Sequence, residues 1–203
     1  MTTVKRSTAA LRALVVIGAL AASAFTTGCA SLYVDTATKE VPVSEMKKPA
    51  QLKPTQVVFE FQTKGAPNAA ATKLLKDDVN AQVAGSGLFA PAAATGSAML
   101  TISINNIPLT EDAASKGFVT GLTFGLAGSA VTDGYVCTVS YLPPGQSAPI
   151  VKTARHAIHA TIGNASPPPG AGKPVDGVTA AKTMARDVIS NALRDLSIDP
   201  AFN

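Results

Sequence analysis

The sequence predicts an α+β fold: a two-layer sandwich whose mostly antiparallel sheet of about four strands carries two helices on one face. Three observations lead there. Segments 99–108, 135–141 and 150–162 carry the residue-by-residue alternation of a half-buried strand. Segments 69–84 and 178–196 place apolar residues three and four apart, the spacing of a helical stripe. The order strand, helix, strand, strand, strand, helix leaves two stripes to bury, and one sheet face can cover both.

Each element has its own justification. Val57-Val58-Phe59-Glu60-Phe61 is a short β-rich run and the first strand. Gly65-Ala66-Pro67-Asn68 breaks it. The helix over 69–84 repeats Leu75, Val79 and Val83, joined by Leu74. Lys73, Lys76, Asp77 and Asp78 fill its other sides, and Gly85 and Gly87 stop it. In 99–108, Leu100, Ile102 and Ile104 point one way, and Thr101, Ser103 and Asn105 the other. In 135–141, Tyr135, Cys137, Val139 and Tyr141 share a face. Pro143-Pro144-Gly145-Gln146-Ser147 is turn chemistry, so 150–162 returns beside 135–141 as an antiparallel hairpin. Segment 163–177, with Pro167, Pro168, Pro169 and Pro174, reads as a mobile loop. The closing helix has an apolar stripe of Ala181, Met184, Ala185, Val188, Ala192 and Leu196.

Composition narrows the function classes. The 203 residues are 46% hydrophobic and 15% charged, with two Cys and a net charge of +4. That excludes a disordered polyelectrolyte and a disulfide-stapled mini-protein. Part of the charge belongs to an address. Lys5, Arg6 and Arg12 precede an uncharged run over 13–25, which ends at Thr26-Thr27-Gly28-Cys29. A basic start, a short apolar core and a small-residue cleavage site form a secretory signal peptide over 1–28. The apolar run is too short for a permanent span of ~20 residues. Without that leader, 14 of the 17 bases remain against 13 acids, a net of +1. No clustered basic face is left for nucleic acid.

Gly28-Cys29 at the end of the apolar run resembles the bacterial lipobox, with Thr26 where Leu is usual. The resemblance implies cleavage after Gly28 and lipidation of Cys29 by diacylglyceryl and palmitate-type chains. Several acyl chains make a stable anchor at ~0.8 kcal/mol per buried CH₂. Ala30, where an Asp would imply inner-membrane retention, implies the periplasmic face of the outer membrane. The whole layout resembles small Gram-negative envelope lipoproteins. More distantly it resembles lipoprotein activators of cell-wall synthases and the curli-secretion lipoprotein. Residues 29–54, with Pro42, Pro49, Pro54, Lys47, Lys48 and Lys53, read as the lipidated Cys and a flexible tether. Residues 55–203 read as one domain.

The oddest stretch is 117–128. The chain is uncharged from Gly117 to Thr132, 16 residues, with glycines at 117, 121 and 125. Three readings stand side by side: a loop packed on the sheet, a membrane-dipping segment led by Phe118, Leu122, Phe124 and Leu126, and a docking or self-association surface. His156 and His159 form an H-x-x-H pair. On a strand, odd separation sends them to opposite faces, so they read as two independent surface or rim histidines rather than metal ligands. Cys137 lies mid-strand among apolar neighbours and reads as a small buried hydrophobe rather than a nucleophile. Gly85-Ser86-Gly87 follows a helix, the wrong context for a phosphate loop. No catalytic constellation and no cofactor or metal set is recognisable. The expected function is therefore a non-catalytic, lipid-anchored binding or assembly module with an envelope protein partner. Its rivals are a cell-envelope hydrolase, which a cleft joining a histidine to an acid such as Asp133 would favour, and a ring-forming lipoprotein.

Overall fold

A computed structural model describes residues 30–108, 130–162 and 165–202. Eight strands among them form one mixed sheet: β1 (Ala30–Asp35), β2 (Lys53–Thr63), β3 (Ala66–Pro67), β4 (Phe89–Ala90), β5 (Ala98–Pro108), β6 (Ala130–Leu142), β7 (Ile150–Ile162) and β8 (Ala171–Val175). The order across the sheet is β3-β2-β5-β6-β7-β1-β8, with β4 paired to β2. Helix α1 (Ala69–Gly85) links β2 to β5, and α2 (Gly177–Ser197) closes the chain. A single helical crossover returns the chain to its starting end, so β2 and β5 run parallel. The other neighbours along that order pair antiparallel.

The expected sheet of about four antiparallel strands is therefore too small and of the wrong kind. The added strands lack the signal that sequence reading relies on. β3 and β4 have two residues each, too few to show alternation. β8 contains Gly172 and Pro174, which read as loop residues. β1 begins one residue after Cys29 and was hidden by the expectation of a tether. Residues 30–54 are built into the domain. β1 lies between β7 and β8. Beyond it, Val41 and Met46 are buried. The Val41 N–H donates to Ser190 Oγ at 2.9 Å, and the Lys47 N–H donates to Ser197 Oγ at 3.1 Å.

The core lies between the helices and one sheet face. Register lines up its rows: Phe59 beside Ile102 beside Val139, and Phe61 beside Ile104 beside Cys137. Leu75, Val79 and Val83 of α1 face this layer, while Leu74 stays 43% exposed. From α2 come Met184, Val188, Ile189, Ala192, Leu193 and Leu196. Each large aliphatic side chain buried here contributes about 1.5–3 kcal/mol. Both helices start on polar caps. Asn68 accepts the Ala71 N–H at 3.0 Å, and Asp176 accepts the Thr179 N–H at 2.9 Å. Phe89, Tyr141 and Phe202 close one end of the core, with ring centroids 5.0–5.8 Å apart.

Candidate functional site

Strand direction brings several features to one end of the sheet. β7 finishes there, and β1 and β6, which run against it, begin there. Ala30 pairs with Ile162, while Ala130 and Ser31 flank Thr161 on either side. Two strand spacings separate Ala130 from Ser31, about 10 Å. β5 ends at the same end, with Pro108 beside Asp133. The β5–β6 connection, residues 109–129, thus leaves and re-enters the sheet at the end where β1 begins, one residue after Cys29. Gly28, Cys29, Phe118, Leu122, Phe124 and Leu126 themselves lie outside the described residues.

The two histidines do take opposite faces of β7, but neither is at the surface. Both are 0% exposed, because each meets a carboxylate that the sequence reading did not connect to it. On the helix face, His156 Nε2 lies 3.3 Å from Asp187 Oδ2 of α2. On the other face, His159 Nε2 lies 3.0 Å from Asp35 Oδ2 of β1, and its Nδ1 lies 2.9 Å from Thr132 Oγ1 of β6. A carboxylate only accepts, so Nε2 carries the proton; in the neutral ring Nδ1 then accepts the Thr132 hydroxyl. Register accounts for the meeting, since Tyr33 and Thr132 sit directly beside His159 and Asp35 lies two residues beyond Tyr33 on the same face.

Hydroxyl, imidazole and carboxylate in this order are the parts of an activated nucleophile. Here every member is buried, with Thr132 the most open at 9%. The contact joins β1, β6 and β7 and satisfies polar groups that would be costly to bury alone. Asp133, the acid whose meeting with a histidine would favour the hydrolase reading, lies on β6 between Pro108 and Ile158. Burial first, and Asp133 second, push the Tyr135 phenol above its ordinary range. Cys137 is fully buried, and burial pushes its thiol up to about 12, far from a reactive thiolate. Among the described residues no group of three His, Cys, Asp or Glu is placed to hold a metal, and no helix is long and apolar enough to cross a membrane. Ser86, in the glycine-flanked turn after α1, is buried and hydrogen-bonds to the Val83 carbonyl oxygen at 2.6 Å. Of the residues missed by sequence reading, Asp187 had a signal: it is an acid three residues past Met184 on an otherwise apolar stripe. Asp35 and Thr132 had none, because only strand pairing brings them to His159.

No family model matches the chain, and no curated protein does. Among solved structures, a single-substitution variant of PelC from Paraburkholderia phytofirmans, a dodecamer, is similar at 11% identity. The match covers 82% of this chain and 98% of that one, with a TM-score of 0.31. A likeness this slight transfers neither a residue role nor an activity.

Proposed function

We propose that the chain is a non-catalytic, lipid-anchored binding or assembly module on the periplasmic face of the outer membrane. In this reading Cys29 carries the lipid, and segment 117–128 contacts the membrane or a partner. One observation carries it: the sheet topology brings the strand that follows Cys29 and both ends of the 109–129 connection to the same end of the domain. An anchor there holds Phe118, Leu122, Phe124 and Leu126 close to the leaflet that receives the acyl chains. With β1 starting at Ala30, little chain separates that end of the domain from the lipid.

Fractionation tests the anchor. The wild-type chain is expected in the outer-membrane fraction with a radiolabelled palmitate precursor incorporated, and Cys29→Ser is expected free in the periplasm. The Cys29→Ser chain then tests the segment against phosphatidylethanolamine–phosphatidylglycerol vesicles. Binding should be weakened at least tenfold by Leu122→Asp with Phe124→Asp, at unchanged melting temperature. A wild-type chain that takes up no label and stays soluble sinks the anchor. Asp variants that only unfold the domain show that the segment is core.

A further inference from the structure

We infer that the outer edge of β2 is a slot for a short extended peptide of a partner protein, taken up as an added strand. Backbone groups define the slot. The Phe61 N–H donates to Thr72 Oγ1 at 2.9 Å, and the Phe61 carbonyl oxygen accepts from the Asn68 N–H at 2.8 Å, so Phe61 faces away from β5. Strand residues two apart face the same way, so Val57 and Phe59 also aim their N–H and C=O groups outward. Among the described residues nothing pairs with them there. An unpaired edge of this kind is a template for another strand.

Its ends are closed. β3 occupies the next-strand position at Gln62 and Thr63, and β4 occupies it at Lys53 and Pro54. With Phe61 already bonded to α1 and its N-terminal cap, the edge among the described residues is open over 56–60, where Val57 and Phe59 face outward, about 16 Å at ~3.3 Å per residue. A groove of about 590 Å³ follows this edge, walled by Thr72, Lys73, Lys76 and Asp77 of α1 and closed off by Pro67. The bounded length selects the occupant. A full sheet edge from a second copy runs into β3 and β4, whereas a flexible segment with three to five residues in the strand conformation fits. Glu60 and Asp77 offset Lys73 and Lys76 along the lining, so recognition falls to the backbone and to uncharged, β-branched side chains. The opposite sheet edge is guarded: β8 exposes Lys173 and Pro174, and proline has no N–H to offer.

This inference rests on the binding-module part of the proposed function and is independent of the anchor, so a soluble wild-type chain leaves it standing. The test uses the full Cys29→Ser chain, with the blocked heptapeptide Thr-Val-Thr-Val-Thr-Val-Thr as probe. A version with Pro at every Val position is the control. Amide resonances of Val57 and Phe59 are expected to shift with the Val peptide, and their hydrogen exchange to slow at least tenfold. The Pro peptide should leave both unchanged. Val57→Pro removes an outward donor without touching the β5 ladder, and should weaken binding at least tenfold in a folded chain. Four outcomes overturn the slot: Val57 and Phe59 amides as protected as that of Val58 in the free chain, no shift at millimolar peptide, equal response to both peptides, or full binding to Val57→Pro.

Discussion

His159 Nε2 and Asp35 Oδ2 lie 3.0 Å apart with neither side chain exposed, joining β7 to the first strand of the domain across 124 residues of sequence. Removing the imidazole takes one hydrogen-bond partner from the buried Asp35 carboxylate, which still accepts the Ala37 N–H at 2.7 Å, and the ring acceptor from the Thr132 hydroxyl. His159→Ala is expected to cost at least about 1–3 kcal/mol, the range for leaving buried hydrogen-bonding groups short of a partner. Chemical denaturation measures it. A loss under 1 kcal/mol shows that the contact does not hold β1 in place.

Alkaline pH should loosen the core through two acids, the buried Cys137 thiol and the half-buried Tyr135 phenol. Burial raises the Cys137 thiol from 9.0 to about 12, and it raises the Tyr135 phenol as well, with Asp133 adding to the effect. Raised folded-state values favour the protonated form. Their stabilisation is complete below the unfolded pKa values and is lost as pH rises from about 9 toward 12. Urea midpoints across that window should fall, and Cys137→Ala should flatten the slope. Native Cys137 should also resist iodoacetamide at pH 8 until urea opens the fold.

Two glycines should respond in opposite directions to alanine. A Cβ on Gly172 would stand 3.0 Å from the Val34 carbonyl oxygen, where β8 closes on β1. Gly172→Ala is expected to cost about 1–3 kcal/mol. Gly85 ends α1 with nothing within 4 Å of such a Cβ. Gly85→Ala should gain a few tenths to about 1 kcal/mol, since Ala gives up less backbone entropy in a helix. Paired thermal melts compare the two, and equal effects would overturn the assignment of crowding at Gly172.

Lys64 holds a left-handed φ of 53° beside Gly65 at 79°, in the two-residue turn between β2 and β3. Positive φ at both central positions marks a type I′ turn, which favours Asn-Gly. Lys64→Asn should therefore stabilise the chain by about 0.5 kcal/mol. A neutral or destabilising result in denaturant titration would show that Lys64 makes a compensating contact.

Legibility followed the length and regularity of each signal. The stripe through Leu75, Val79 and Val83 and the alternation through Leu100, Ile102 and Ile104 mark long elements with one face in the core, and both stand where the pattern places them. β3 and β4 are stabilised by pairing with β2 and have no pattern of their own. β8 carries Pro174, which excludes it from an interior position but not from an edge. The histidines divide in the same way. Their odd spacing on a strand fixes opposite faces, but their burial depends on Asp187 and Asp35, which arrive from a helix and a strand far along the chain.

By itself the sequence determined the two helices, the four long strands and the small-residue step Gly28-Cys29 after an apolar run. Those are local properties, written in periodicity and in the spacing of neighbouring residue types. Only the tertiary structure decided that residues 30–35 join the sheet, that β2 and β5 run parallel, and that no described strand pairs with β2 beside Val57 and Phe59. Strand pairing is the physical reason. A strand's neighbour is chosen by backbone hydrogen bonds that any sequence can offer, so the choice rests on which helix crosses which face and on where each strand ends.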